Sequence, residues 1–222
     1  ELKKETGTRS KLFSACPKIY SLAGAIYHVV DSSGKLVAEL VTDENGNTDT
    51  KALKPGKYKA REISAPNNMG LDPKEYEFEI KANENFVIRS NDEPLAAELD
   101  VMIQKKAAAG NLDKSLSLAG AEFTVEYFAS LEEPGVAERT WTFITDEEGK
   151  VRLDASYLKD GSDELYTNDD GKALLPIGTY RIREIKAPKG FWINEEVKVI
   201  KLKPVKDENG KLSISEYEVP SF

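Results

Sequence analysis

Arg61-Glu62-Ile63-Ser64-Ala65-Pro66 recurs as Arg183-Glu184-Ile185-Lys186-Ala187-Pro188. Each motif follows a Gly-x-Tyr, with Gly56 and Tyr58 ahead of the first and Gly178 and Tyr180 ahead of the second. Further upstream, Leu22-Ala23-Gly24-Ala25 recurs as Leu118-Ala119-Gly120-Ala121. The order is the same in both halves, so the chain is two copies of one module. Period-two alternation puts Tyr58, Ala60 and Glu62 on one face of a strand and Lys57, Lys59 and Arg61 on the other. The basic face is the wet one, so Glu62 points toward the core. The second copy repeats the pattern, with Tyr180, Ile182 and Glu184 inward and Arg181 and Arg183 outward.

Working outward from these strands, both modules read as β. Candidate strands in the first copy are 25–30, 35–41, 57–63, 75–80 and 85–90; in the second they are 99–105, 121–128, 140–145, 179–185, 195–202 and 211–217. Turn signals separate them at Asn45-Gly46, Gly149, Gly171 and Asn209-Gly210. No long helical period interrupts them. The pattern predicts an all-β chain of two tandem β-sandwich domains, 1–96 and 97–222, with the boundary near Pro94. From Leu22 to Glu62 is 40 positions and from Leu118 to Glu184 is 66, so the second domain carries an insertion, expected within 146–172. Asp154–Lys159 inside it suits a short helical turn.

A second charged group joins the inward carboxylates. Leu99, Val101, Ile103 and Lys105 share one strand face, and Leu2 and Lys4 stand in the same relation as Ile103 and Lys105. Each copy thus aims a Lys and a Glu at one core. Burial disfavours the charged forms of both, and a neutral amine is a nucleophile. The plain alternative is a buried ion pair, or a lysine at a strand end that snorkels to water.

Leu-x-Gly-Ala followed by Gly-x-Tyr-x-x-x-Glu-x-x-Ala-Pro, present twice, resembles the Cna protein B-type domain of Gram-positive surface proteins and pilins. The resemblance covers nearly the whole chain. It implies prealbumin-like, Ig-like sandwiches stacked as stalk modules, many locked by a spontaneous isopeptide bond between a first-strand Lys and a last-strand Asn or Asp, assisted by the Glu of the motif. Carried onto this sequence, the lysines are Lys4 and Lys105 and the assisting glutamates Glu62 and Glu184. For the first copy the family pattern of an Asn before a Pro-containing exit favours Asn91, reached through a β-bulge. Strict alternation from Phe86 and Ile88 points instead to Asp92. The second copy ends in a strand read as 211–220, which holds neither Asn nor Asp, so its Lys105–Glu184 pair is expected to be an ion pair, or its acceptor to lie outside these residues.

The rest of the sequence narrows the function. Of 222 residues 40% are hydrophobic and 32% charged, and the net charge of −8 comes with scattered basic residues, which argues against nucleic acid as a partner. No apolar run approaches the ~20 residues of a membrane span. One Cys (Cys16) and one His (His28) leave no internal disulfide and no Cys/His zinc site. Asp43-x-Asn45-x-Asn47-x-Asp49 mimics a calcium loop but lacks its Gly and its closing acid, so a hairpin turn is expected there and no metal or cofactor. His28 alternates with Ile26 and Val30 and is read as inward; Cys16 is read as an inert thiol. With these classes set aside, the resemblance implies structural stalk modules of a cell-surface adhesin or pilin-like protein, extracellular and wall-anchored through signals outside this stretch, partnered by neighbouring domains of the same protein. The rival reading is a binding module that meets a host protein or glycan through the second-domain insertion, with Tyr157 and Tyr166. An enzyme is not expected, because the Lys/Glu set reacts once, with itself.

Overall fold

The structure, a computed structural model, describes residues 1–108, 115–132 and 135–222. It divides into two compact units, Glu1–Leu95 with Pro204–Ser213, and Ala96–Lys203 with Ile214–Phe222. In unit 1 the elements are β1 (Leu2–Thr6), a short helix α1 (Ser10–Ala15), β2 (Ile26–Asp31), β3 (Leu36–Val41), β4 (Gly56–Ser64), β5 (Glu75–Ile80) and β6 (Ile88–Asp92). Four of the strands form an antiparallel sheet in the order β3-β2-β4-β5, while β1 and β6 pair in parallel. Leu2 and Ile88 from that pair meet Tyr27, Val29, Leu40 and Ala60 from the sheet in one buried cluster. Each strand supplies alternate residues to this layer, which is what a sandwich requires.

Unit 2 repeats the plan. It contains β7 (Ala96–Ala97), β8 (Val101–Gln104), β9 (Glu122–Phe128), β10 (Arg139–Ile144), β11 (Lys150–Arg152), β12 (Leu175–Pro176), β13 (Gly178–Lys186) and β14 (Val197–Leu202). Its sheet runs β10-β9-β13-β14, and β8 pairs with β11. A hairpin of β15 (Pro204–Lys206) and β16 (Leu212–Ile214) follows in the chain, its residues up to Ser213 grouped with unit 1. The position that β6 holds in unit 1 is taken by Pro220–Phe222. Gln104 N–H donates to Pro220 O at 3.0 Å, Phe222 N–H to Gln104 O at 3.0 Å and Lys106 N–H to Phe222 O at 2.7 Å.

Several sequence expectations change here. The stretch 211–217 is the second arm of a hairpin and not the closing strand, because Asp207 accepts the Asn209 and Lys211 amides and folds the chain back. The closing segment is three residues long, begins with Pro and carries no strand signature. His28 faces outward, half-buried, with Nε2 3.1 Å from Glu39 Oε2; the inward residues of β2 are Tyr27 and Val29. The last strand of unit 1 starts at Ile88, leaving Phe86 and Val87 exposed. The extra residues of unit 2 are not all in 146–172. Asp146–Lys150 repeats the Asp43–Asn47 turn, with Asp43 Oδ1 and Asp146 Oδ1 each accepting two backbone amides. From Gly46 to Gly56 is 10 positions and from Gly149 to Gly178 is 29, so 19 extra residues follow that turn. Another 7 lie between Leu118 and Thr145, 27 positions apart against 20 for Leu22 and Thr42. Ala155–Tyr157 is a single 3-10 turn whose start Asp154 caps through Ser156 N–H.

The turn glycines fix the lysine strands. Lys4 N–H donates to Gly46 O and Lys105 N–H to Gly149 O, both at 2.7 Å. Gly46 (φ 76°) and Gly149 (φ 73°) are left-handed. A Cβ on either would sit 2.5 Å from the carbonyl oxygen of the lysine it holds. Gly171 is also left-handed, at φ 86°, but faces open space. We therefore expect Gly171→Ala to lose only the backbone term of ~1–2 kcal/mol, and Gly149→Ala to lose about 1–3 kcal/mol more from the close approach. Both tryptophans, Trp141 and Trp192, lie in unit 2, so tryptophan fluorescence during urea unfolding reads this difference. Equal losses would show that the turn does not hold the lysine strand closely.

Candidate functional site

Lys4 lies in the middle of the unit 1 core, its side chain wholly buried. β1 brings it there because Leu2 and Lys4 alternate inward while Lys3 and Glu5 face out. Its ammonium donates to Glu62 Oε1 at 2.6 Å and to the Tyr27 hydroxyl at 2.5 Å. Tyr27 passes the chain on by donating to Ser90 Oγ at 2.9 Å. Glu62, inward on β4, uses its other oxygen to accept the Asp72 amide at 2.6 Å. Asp92 Oδ1 stands 2.7 Å from Lys4 Nζ, both side chains fully buried. That contact is an ion-pair distance only: neither Asp92 oxygen makes a well-directed hydrogen bond.

Asn91, favoured by sequence, is not at the site. β1 and β6 run in unbroken register from Leu2↔Ile88 to Thr6↔Asp92, with no bulge to shift the phase. Ile88, Ser90 and Asp92 are therefore buried, whereas Asn91, opposite Glu5, is exposed. Alternation from Ile88 holds to the end of the strand.

Burial sets the electrostatics. Desolvation pushes the Asp92 carboxyl up to about 7, against the pull of Lys4, and the neighbouring Glu62 adds to the rise. Desolvation likewise drives the Tyr27 phenol far up, so it stays a neutral donor. The core thus holds one amine and two carboxyls in contact, with a carboxylic acid easier to keep protonated than usual. Tyr27, Ser90 and Asp72 were not legible as site residues. The alternation Ala25, Tyr27, Val29 against Leu40 was the available signal for Tyr27.

Among the described residues, unit 2 repeats the Lys–Glu part of this arrangement. Lys105 Nζ donates to Glu184 Oε2 at 2.8 Å, and the same oxygen accepts the Asn194 amide at 2.6 Å. Glu184 Oε1 is buried without a partner. Strand pairing sets Phe123 opposite Glu184 where Tyr27 stands opposite Glu62. The ring of Phe123 packs on that of Phe222 at 4.9 Å. The hydroxyl relay of unit 1 is thus replaced by two apolar rings. The ladder aligns Phe222 with Lys105 as Ser90 aligns with Lys4, so the position matching Asp92 falls two residues beyond Phe222.

The insertion of unit 2 is used internally. Lys159 and Asp163 amides donate to Thr142 O and Thr140 O at 2.8 and 3.2 Å, laying the segment along the edge of β10. Tyr166 is buried against Trp141 and Tyr127. No helix among the described residues is long and apolar enough to cross a membrane.

Comparison with known proteins adds to this geometry. The family model of the SpaA prealbumin-like fold domain matches residues 19–94 and 101–218. A 62-residue stretch is 40% identical to the trypsin-resistant surface T6 protein of Streptococcus pyogenes serotype M6, covering 28% of this chain and 11% of that protein. The Bacillus anthracis TIE protein matches over 100% of this chain and 32% of its own, at 22% identity and a TM-score of 0.60. A C-terminal fragment of the pilus adhesin SpaC from Lactobacillus rhamnosus GG matches over 96% of this chain and 94% of its own, at 16% identity and a TM-score of 0.54. The chain spans about a tenth of the curated relative and about a third of the B. anthracis structure. At these identities the solved structures establish the fold.

The Asp92 environment has a pH signature. Lys4→Met removes the cation that lowers the Asp92 pKa, so the folded value moves further above the unfolded ~3.9. A raised folded pKa contributes stability that is present below the unfolded value and lost as pH rises through the folded one. Unit 1 of Lys4→Met should therefore melt lower at pH 8 than at pH 5. The double variant Lys4→Met/Asp92→Asn removes one of the two buried carboxyls and should reduce that difference. Calorimetry checks both; a Lys4→Met chain more stable at pH 8 would mean that Asp92 is ionised in the core.

Proposed function

Because the chain belongs to the family of SpaA prealbumin-like fold domains, we propose that it supplies two load-bearing stalk modules of a Gram-positive cell-surface protein of the pilin or adhesin kind, the first locked by an amide between Lys4 and Asp92. The observation that carries this reading is the contact of Lys4 Nζ with Asp92 Oδ1 at 2.7 Å inside a closed core that also holds Glu62. A lone buried ion pair is a weak stabiliser, since desolvation offsets much of its attraction. Two carboxyls against one amine is a poorer arrangement still, unless it reacts.

The step balances as a condensation. A proton leaves the Lys4 ammonium for the Asp92 carboxylate, freeing the amine and making the carboxylic acid. Nζ attacks Asp92 Cγ, the C–N bond forms, and the C–OH bond breaks. The carboxylate of Glu62, hydrogen-bonded to Nζ, takes one of the two remaining amine protons and passes it to the leaving hydroxyl, which departs as water, while the other stays on the amide nitrogen. The reaction turns over once.

Mechanical function follows from topology. β1 and β6 are parallel neighbours, so tension entering at β1 and leaving at β6 shears them. A Lys4–Asp92 amide would carry that load covalently and hold back the intervening residues, which extend to roughly 300 Å when unfolded. By analogy with disulfide loop entropy the tie stabilises the unit by about 4–5 kcal/mol. Unit 2 carries the equivalent Lys105–Glu184 pair and an edge-covering insertion. In this reading the insertion is a structural cover and not a host-binding loop, because its backbone and its ring Tyr166 are spent on β10 and the core.

Intact-mass measurement tests the proposal. The full chain should be lighter than its sequence by one water. Glu62→Ala and Asp92→Ala should each restore the full mass, and Asn91→Ala should not. A wild-type chain at full mass would overturn the bond, and a loss of one ammonia that disappears in Asn91→Ala would move it to Asn91.

A further inference from the structure

The two sheets can be aligned through Tyr27↔Glu62 and Phe123↔Glu184. On that alignment Val29 matches Val125, Tyr58 matches Tyr180, and Ala38 matches Trp141. Trp141 is fully buried in unit 2, 6.1 Å edge-on from Tyr166 and 6.4 Å from Tyr127. Tyr166 arrives from the insertion, which reaches it along the β10 edge. Asp163 Oδ2 accepts the Thr140 amide at 2.6 Å and Ser162 Oγ that of Thr142 at 3.0 Å. Glu164 O then takes the Trp141 indole N–H at 3.2 Å, and the Arg139 guanidinium lies 4.5 Å over the Tyr166 ring.

Unit 1 has the same edge and the same seat without the filling. β3 ends its sheet, and among the described residues no strand pairs with its outer side. Leu36 and Glu39 stand where Thr140 and Thr142 stand, Val37 being the extra residue of an irregularity in the β2–β3 register, and Leu36, Val37 and Val41 are exposed. With Ala38 in place of Trp141, a cavity of about 590 Å³ opens beneath the edge, walled by Val29, Ala38, Leu40, Leu53, Phe78 and Ile80. Its size falls in the range of ligand sites. Lys51 and Lys81 also line it, with Glu1 and Glu84, so cations are at hand for an aromatic ring as Arg139 is for Tyr166.

We propose that the β3 edge and this cavity form one docking site in unit 1 for an extended segment of a partner polypeptide, which adds to β3 and places an aromatic side chain in the cavity. The occupant's chemistry is read from unit 2, where a segment of this description sits on the equivalent edge. Backbone pairing to β3 supplies affinity, and the aromatic seat supplies selectivity. The site lies away from Lys4, and it does not depend on the amide.

The test uses a synthetic peptide of the sequence Leu158–Thr167 and the full chain, by titration calorimetry. Saturable binding at one site is expected. It should weaken at least tenfold when the peptide carries Ala at its tyrosine. Ala38→Trp, which fills the seat from within as Trp141 does, should also weaken it at least tenfold. Glu39→Pro, which removes the edge amide equivalent to that of Thr142 from a strand whose outer side is unpaired, should do the same without filling the cavity. Absence of binding at millimolar peptide, or binding unchanged by both variants, would overturn the proposal. Self-association of the chain that Ala38→Trp abolishes would put a second copy in the seat and overturn the assignment to a partner.

Discussion

The structure of unit 1 depends on an amine buried where water cannot reach it. Lys4 occupies a core position between Leu2 and the sheet, and every polar atom near it answers to its charge: Glu62, Asp92 and, through Tyr27, Ser90. An unpaired ammonium there is prohibitive, and breaking a buried pair typically costs about 3–5 kcal/mol. This constraint fixes the strand order. β1 and β6 must be neighbours to bring Lys4 to Asp92, and β4 must present its inward carboxylate across the core. A sandwich with parallel first and last strands satisfies both.

The two units solve the constraint differently. In unit 1 a tyrosine and a serine extend the polar network, and desolvation lifts the Asp92 pKa. Unit 2 keeps the Lys–Glu pair but has Phe123 and Phe222, packed ring on ring, at the positions of the two hydroxyls. Unit 2 is also the better filled at the opposite end of its sheet, where Trp141, Tyr127, Tyr166 and Tyr180 form a buried aromatic group. Unit 1 has Ala38 and a cavity there. One module plan thus carries a denser polar core in one copy and a denser aromatic core in the other.

What the sequence disclosed follows from period-two physics. The inward positions of Glu62 and Glu184 were legible because lysines and arginines crowd the opposite face, leaving one phase for the core. The lysines were legible because each ends an apolar stripe. Asp92 was within reach of the same rule, but family habit suggested a bulge that the unbroken β1–β6 register does not contain. His28 was assigned to the wrong face because Ile26 and Val30 are apolar too, and either phase of β2 looks buried. Pro220–Phe222 was invisible as a strand, being short and defined by its partner β8. The six-residue helix α1 was missed because no side chain caps its start and its one buried residue, Leu12, sets no period.

The central claim is that Lys4 and Asp92 become one covalent unit. Peptide mapping of the denatured, protease-digested chain tests it most directly. The expected product is a branched peptide in which the Lys4 side chain is joined to the Asp92 segment, with neither residue recovered in a linear peptide. Recovery of unmodified linear peptides containing Lys4 and Asp92 would contradict it and reduce the cluster to a buried ion pair.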